Sequence, residues 1–144
     1  MNTRILKTLS SFFLFIFLSN ELLADQGISS DQVLIGMHTD ISGPASMIGK
    51  QSVDGANMRF KEFNENGGAF GRTIKLIVED HQYTVPRAVQ AANKLLRKDK
   101  VAFMMGALGT PMNNAVMTDQ LAMNVPNLFP LTAARSMFDP FDRL

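Results

Sequence analysis

The sequence predicts an α/β domain: a parallel sheet with helices on both faces. Short apolar runs alternate with longer stretches of helical periodicity, in the order strand, helix, strand, helix, strand, helix, strand. Glycine, proline and asparagine clusters mark the junctions between these runs. No internal repeat and no Gly/Ser or proline-rich linker divides the 144 residues, so a single folding unit is expected.

The chain begins with an address. Arg4 and Lys7 precede LSSFFLFIFL (Leu9 to Leu18), which is followed by Asn20 and Glu21 and then by Leu22, Leu23 and Ala24. A positive start, an apolar centre and a small residue describe a secretory signal peptide, residues 1–24, with cleavage after Ala24. The centre spans about ten residues, half of the roughly twenty that cross a bilayer as a stable helix. Without residues 1–24 the chain is formally neutral, and residues 25–144 form the expected folded part.

Val33 to Met37 (VLIGM) has the β-branched and apolar content of a strand, and Ser42, Gly43 and Pro44 mark the turn after it. From Met47 to Asn64, Val53, Ala56, Phe60 and Phe63 recur at helical spacing, while Lys50, Asp54, Arg59, Lys61, Glu62 and Glu65 fill the other face. Asn66, Gly67 and Gly68 end this helix, because glycine accepts the left-handed conformation that a helix terminus requires. Ile74 to Val78 alternates only loosely, which predicts a strand buried on both faces. Pro86 opens a second helix with Val89, Ala92 and Leu96 on one face and Ala88, Ala91 and Leu95 beside it. Arg97, Lys98 and Lys100 at its end complement the helix dipole.

Val101 to Met105 is the third strand, Thr110 to about Met123 the third helix, and Val125 to Pro130 the fourth strand. Parallel sheets bind ligands beyond the carboxyl ends of their strands. Four loops, residues 39–49, 80–86, 106–111 and 131–134, are therefore expected to meet at one edge.

The stretch VAFMMGALGTPMN (Val101 to Asn113) is where chemistry is expected. Thr110 reads as the N-cap of the third helix and Pro111 as its first residue, which lacks an N–H that would have no partner there anyway. Free N–H groups, a hydroxyl and the positive end of the dipole then face one spot that suits a carboxylate or phosphate. The plain alternative is that Thr110 only caps a helix.

Composition narrows the function. A formal charge of +1 without a long basic run gives no footprint for nucleic acid. With no cysteine there is no disulfide framework, thiolate metal site, cysteine nucleophile or lipid-modified cysteine. His38 and His81 alone give little support for a metal, and the ten methionines read as core filler. Neither a G-x-G-x-x-G turn nor a P-loop follows the first strand, so no nucleotide cofactor is expected. Asp80 beside His81 reads as a polar strand end, and no residue is assigned a catalytic role.

Ile41 to Pro44 (ISGP), Gly49, Asp54 to Ala56 (DGA), Asn64 to Gly68 (NENGG), Gly71 with Arg72, Glu79 to Tyr83 (EDHQY), Gly106 to Thr110 (GALGT), Val125 with Pro126, and Phe129 to Thr132 (FPLT) form an ordered set. This set resembles the amino-terminal portion of the periplasmic substrate-binding proteins of branched-chain amino acid and amide ABC transporters, over about Val33 to Arg143. The resemblance implies a Rossmann-like lobe, most of the first of two that close on a small solute, and delivery to a membrane permease. It implies a ligand carboxylate at Gly109 and Thr110, and ligand ammonium and carboxylate at the turn of Leu131, Thr132 and Ala133.

Ile48, one before Gly49, matches a position that touches the ligand side chain. Some relatives carry a disulfide-bonded pair where Tyr83 and Gly109 stand, which implies that these two are neighbours and that Tyr83 packs over the site. Family members are more than twice this length, so residues 25–144 are expected to be an incomplete amino-terminal ligand-binding lobe, a truncated product. The expected ligand is an amino acid, amide or urea-like solute, and the expected location is the periplasm. Three other readings stay open at this point: an extracytoplasmic ligand-sensing module, a small secreted flavodoxin-like enzyme using Asp80 and His81 as acid and base, and a nonfunctional remnant.

Overall fold

A computed structural model of the chain describes residues 26–139, so the expected signal segment lies outside the described residues. Its strands are β1 (Gln32–Thr39), β2 (Thr73–Asp80), β3 (Phe103–Met105) and β4 (Asn127–Leu128). They form one sheet in the order β2-β1-β3-β4, every neighbouring pair parallel. Between them run α1 (Ser46–Glu65), α2 (Val85–Asn93), which continues into a π turn at Lys94–Lys98, and α3 (Thr110–Ala122). The chain steps from β1 outward to β2 and then crosses back to β3. Right-handed crossovers therefore put α1 on one face and α2 and α3 on the other, where those two helices pack together.

The apolar pattern explains which face closes. Ala92, Leu95 and Leu96 from the α2 side, Val116 from α3, and Val101, Met104 and Val125 at the sheet are each exposed by 3% or less. Leu34 packs against this cluster, and Gly36 faces Val101 and Met104, so alternation along β1 sends Ile35 and Met37 to the α1 face. There α1 comes very close. A Cβ at Gly49 would lie 1.8 Å from the Asp40 carbonyl oxygen, so only glycine lets the first turn of α1 rest on the end of β1.

Some boundaries differ from expectation for visible reasons. Ile74, Leu76, Ile77 and Val78 are half-buried and Lys75 is exposed, so the strand is not buried on both faces; among the described residues β2 lies at the sheet edge with β1 as its sole neighbour. The third ladder starts only at Phe103, since the Val101 N–H turns back to the Leu95 carbonyl. The fourth shrinks to two residues, between Pro126, which has no N–H, and Phe129, whose φ of 50° leaves the extended region. Helix α2 begins at Val85, one residue before Pro86.

Candidate functional site at the carboxyl edge

The four loops do meet, through a chain of specific contacts. At the end of β2, Asp80 accepts hydrogen bonds from the Ser42 hydroxyl (2.6 Å) and from the N–H groups of Ile41 (2.9 Å) and Gln82 (3.0 Å). Burial pushes its pKa up, but the Ser42 hydroxyl and the backbone N–H groups of Ile41, Gln82 and Ser42 outweigh it and hold the carboxyl at about 2. At the end of β1, the fully buried Asp40 accepts from the N–H groups of Gly43 (2.5 Å) and Ala45 (2.7 Å) and so shapes the turn into α1.

The second loop meets the third at His81 and Tyr83. The Tyr83 N–H donates to His81 Nδ1 at 3.0 Å, and His81 Nε2 lies 3.1 Å from the Leu108 carbonyl oxygen. The ring of Tyr83 stands against Gly109: a Cβ there would lie 3.1 Å from Tyr83 Cε2 and 2.2 Å from Met112 Cε. Tyr83 and Gly109 are thus neighbours. The third loop joins the fourth by reciprocal backbone bonds, Leu131 N–H to Ala107 (2.9 Å) and Gly109 N–H to Leu131 (3.1 Å). The hydroxyls of Thr110 and Thr132 then meet at 2.5 Å.

Thr110 is not the N-cap. Gly109 takes that place with φ 95°, a conformation that threonine avoids, and Thr110 becomes the first helical residue with Pro111 second. The correction changes what the hydroxyl does. It is aimed at Thr132, whose own oxygen also accepts the Ala134 N–H at 3.1 Å, and leaves the helix amides alone. Among the described residues the N–H groups of Thr110 and Met112 have no acceptor; Met112 is buried, but the exposed Thr110 brings its amide, two hydroxyls and the positive end of α3 to one open spot. That arrangement can hold a carboxylate.

Gly109, Thr110, Leu131, Thr132 and Tyr83 are brought together. Ile48 and Ala133 are not tied into this chain of contacts: Ile48 is 49% exposed on the first turn of α1, and Ala133 is exposed beside Thr132. Asp80 and His81 share no hydrogen bond, and their polar atoms are engaged elsewhere, so they form no acid–base dyad. Among the described residues no three His, Cys, Asp or Glu gather as metal donors.

The buried polar residues behind the edge escaped sequence reasoning. Asn113 donates to the carbonyls of Ala107 and Gly109, both at 2.9 Å, and accepts from Asn127 Nδ2 at 3.0 Å. Its place four residues after Gly109, within reach of the carbonyls that open the helix, was the available signal. His38 is fully buried with neither ring nitrogen partnered, its ring centroid 5.6 Å from that of His81. Burial, and then the charge His81 can carry, push its pKa down to about 3.

A parallel sheet with its order reversing between β1 and β3, and donor groups gathered beyond those strand ends, is the frame of a ligand-binding α/β lobe. The chain belongs to the periplasmic binding protein family, whose profile matches residues 32–138. It is 31% identical over 85 residues to the Leu/Ile/Val-binding protein homolog 1 of Brucella abortus (strain 2308), covering 59% of this chain and 23% of that protein. Two solved structures align over 70–78% of this chain. One is a fatty acid ABC transporter substrate-binding protein from Thermomonospora curvata (28% identity, TM-score 0.63, 26% of its length). The other is a possible leucine/isoleucine/valine-binding protein from Rhodopirellula baltica (25% identity, TM-score 0.71, 30% of its length). The chain thus spans about a quarter of the relatives it matches. All three are named as binding proteins, one of them of an ABC transporter, and the family is a periplasmic one.

Proposed function

We propose that the chain is the amino-terminal lobe of an extracytoplasmic solute-binding component of an ABC importer, which takes the carboxylate of a small solute at the Thr110 turn and passes the solute to a membrane permease. The observation that carries this is the Thr110–Thr132 hydroxyl pair at the first turn of α3, beside the unpartnered N–H groups of Thr110 and Met112. The names of the relatives agree with an anionic head group, since leucine, isoleucine, valine and fatty acids all carry a carboxylate. An amino acid is the first choice of ligand, with amides and urea-like solutes behind it because they lack that charge. The segment at residues 1–24 supports export as the route to the periplasm. The reading is not enzymatic, since the relatives are named as binding proteins.

The test is thermal unfolding of the full chain with L-leucine, L-isoleucine, L-valine, acetamide or urea, beside a Thr110→Val variant. Ligand that binds only the folded lobe adds about 2.7 kcal/mol at a hundredfold excess over its dissociation constant. The expected result is a midpoint raised by the amino acids, unmoved by urea, and insensitive to ligand in the variant. A rise that survives Thr110→Val would overturn the assignment of the carboxylate site.

A further inference from the structure

Resting on the reading of the Thr110 turn as a carboxylate site, we propose that His81 is the positioning residue of that turn. It acts as a neutral Nε2–H imidazole that couples the Tyr83 loop to the carbonyl of Leu108. The tautomer follows from the partners. The Tyr83 N–H can only donate, so Nδ1 is the unprotonated acceptor; the Leu108 carbonyl can only accept, so the ring proton sits on Nε2. A single ring thereby joins two loops 27 residues apart in sequence, with no solvent exposure to dilute either bond.

The geometry reaches the site directly. Leu108 lies one residue before the Gly109 cap, and its N–H is held by the His38 carbonyl at 3.2 Å. With Asn113 holding the carbonyls of Ala107 and Gly109, three successive carbonyls are bonded within the fold and the amide of the exposed Thr110 is left free. His81 also holds Tyr83, whose φ of 56° places its ring against Gly109. Around the ring stand His38 from β1, Asp40 just after it, Asp80 from β2 and Tyr83 from its own loop; the 106–109 turn brings carbonyls and no titratable side chain. A proton added at Nδ1 removes the acceptor of the Tyr83 N–H. The Tyr83 loop is then released while the Leu108 bond persists.

Three measurements on the full chain test this. Nitrogen-15 NMR of the histidines at pH 7.5 should show His81 with its proton on Nε2; a proton on Nδ1 overturns the proposal without any variant. Tyr83 is the sole tyrosine and there is no tryptophan, so its emission reports on this loop. A step on acidification, at pH values where far-UV circular dichroism is unchanged, should vanish in His81→Gln and in His81→Asn. Persistence of the step in both overturns the proposal.

The two variants also separate the two bonds, since glutamine can keep the donor to Leu108 and asparagine the acceptor for Tyr83. Each should weaken L-leucine roughly fivefold at pH 7.5, the factor that one net hydrogen bond carries. Wild type should lose affinity on acidification below the ordinary histidine pKa of 6.5 while the variants do not. Equal loss on acidification in wild type and variants overturns the coupling. Absence of leucine binding by wild type at every pH overturns the functional reading instead, and the tautomer and emission measurements then decide the role of His81 alone.

Discussion

Two layers of this molecule are buried equally well and held by opposite physics. Beneath α2 and α3, Leu95, Leu96, Val101, Met104, Val116 and Val125 exclude water with side chains that ask for no partner. At the carboxyl edge, His38, Thr39, Asp40, His81 and Asn113 are each fully buried, and all but two of them are committed to backbone groups of the loops. The exceptions are the ring of His38 and the hydroxyl of Thr39, which have no partner among the described residues. The difference teaches where stability and binding geometry reside. The apolar layer supplies folding free energy in proportion to its area, and the polar layer aims donors with little net gain per bond.

The largest expected effect lies in the apolar layer. Leu96, 1% exposed within the cluster, is tightly enclosed, so Leu96→Ala should destabilise the lobe by about 2–5 kcal/mol through lost transfer energy and the cavity left behind. Urea denaturation should show the midpoint falling with an unchanged slope. The environment of Tyr83, read by its emission before the transition, should stay as in wild type. A change there would mean that the two layers are not separable.

Acid should strike the other layer. The pKa of His38 is lowered from 6.5 to about 3, so the unfolded chain binds the extra proton first. The stability associated with the neutral ring is present above pH 6.5 and is lost progressively as the pH falls toward 3. At about 1.4 kcal/mol per pH unit, going from pH 7.5 to 4.5 removes on the order of 2–3 kcal/mol. His81, lowered by burial, pushes in the same direction, and so does Asp80 below its ordinary 3.8. His38→Leu should flatten this pH dependence by about one proton in denaturation measured across the range, whereas Leu96→Ala should shift the whole curve down without changing its slope.

How much of this was readable from the chain follows the same division. The alternation of runs gave the four parallel strands and three helices, because apolar periodicity is a local signal. The convergence of the four loops followed from topology, and the turn at Gly109 and Thr110 was found by its own residues. The role of Thr110 within it was misread. Both Gly109 and Thr110 suit the cap of a helix, and the φ of 95° at Gly109, which only the folded turn reveals, decides between them. The strand at Val125 to Pro130 was drawn too long because its apolar residues carry no record of where the backbone leaves the ladder. His81 and Asn113 went unrecognised as supports, since a polar residue inside an element reveals its partner only after folding.

The smallest stability effect expected here is also the sharpest test of the division. Asn113→Leu keeps the side-chain size; it takes one of two donors from each of the carbonyls of Ala107 and Gly109 and removes the buried acceptor of the Asn127 amide. The cost should be about 1–3 kcal/mol, set by desolvated groups and not by a void. If the polar layer aims the site, the variant should remain cooperatively folded while the ligand-induced rise in midpoint falls by much more than the change in stability accounts for. Thermal unfolding with and without L-leucine, in Asn113→Leu beside Leu96→Ala, reads both quantities at once. Should the two variants lose ligand response in the same proportion to stability, the turn is held by general packing, and the buried amide has no separate part in aiming it.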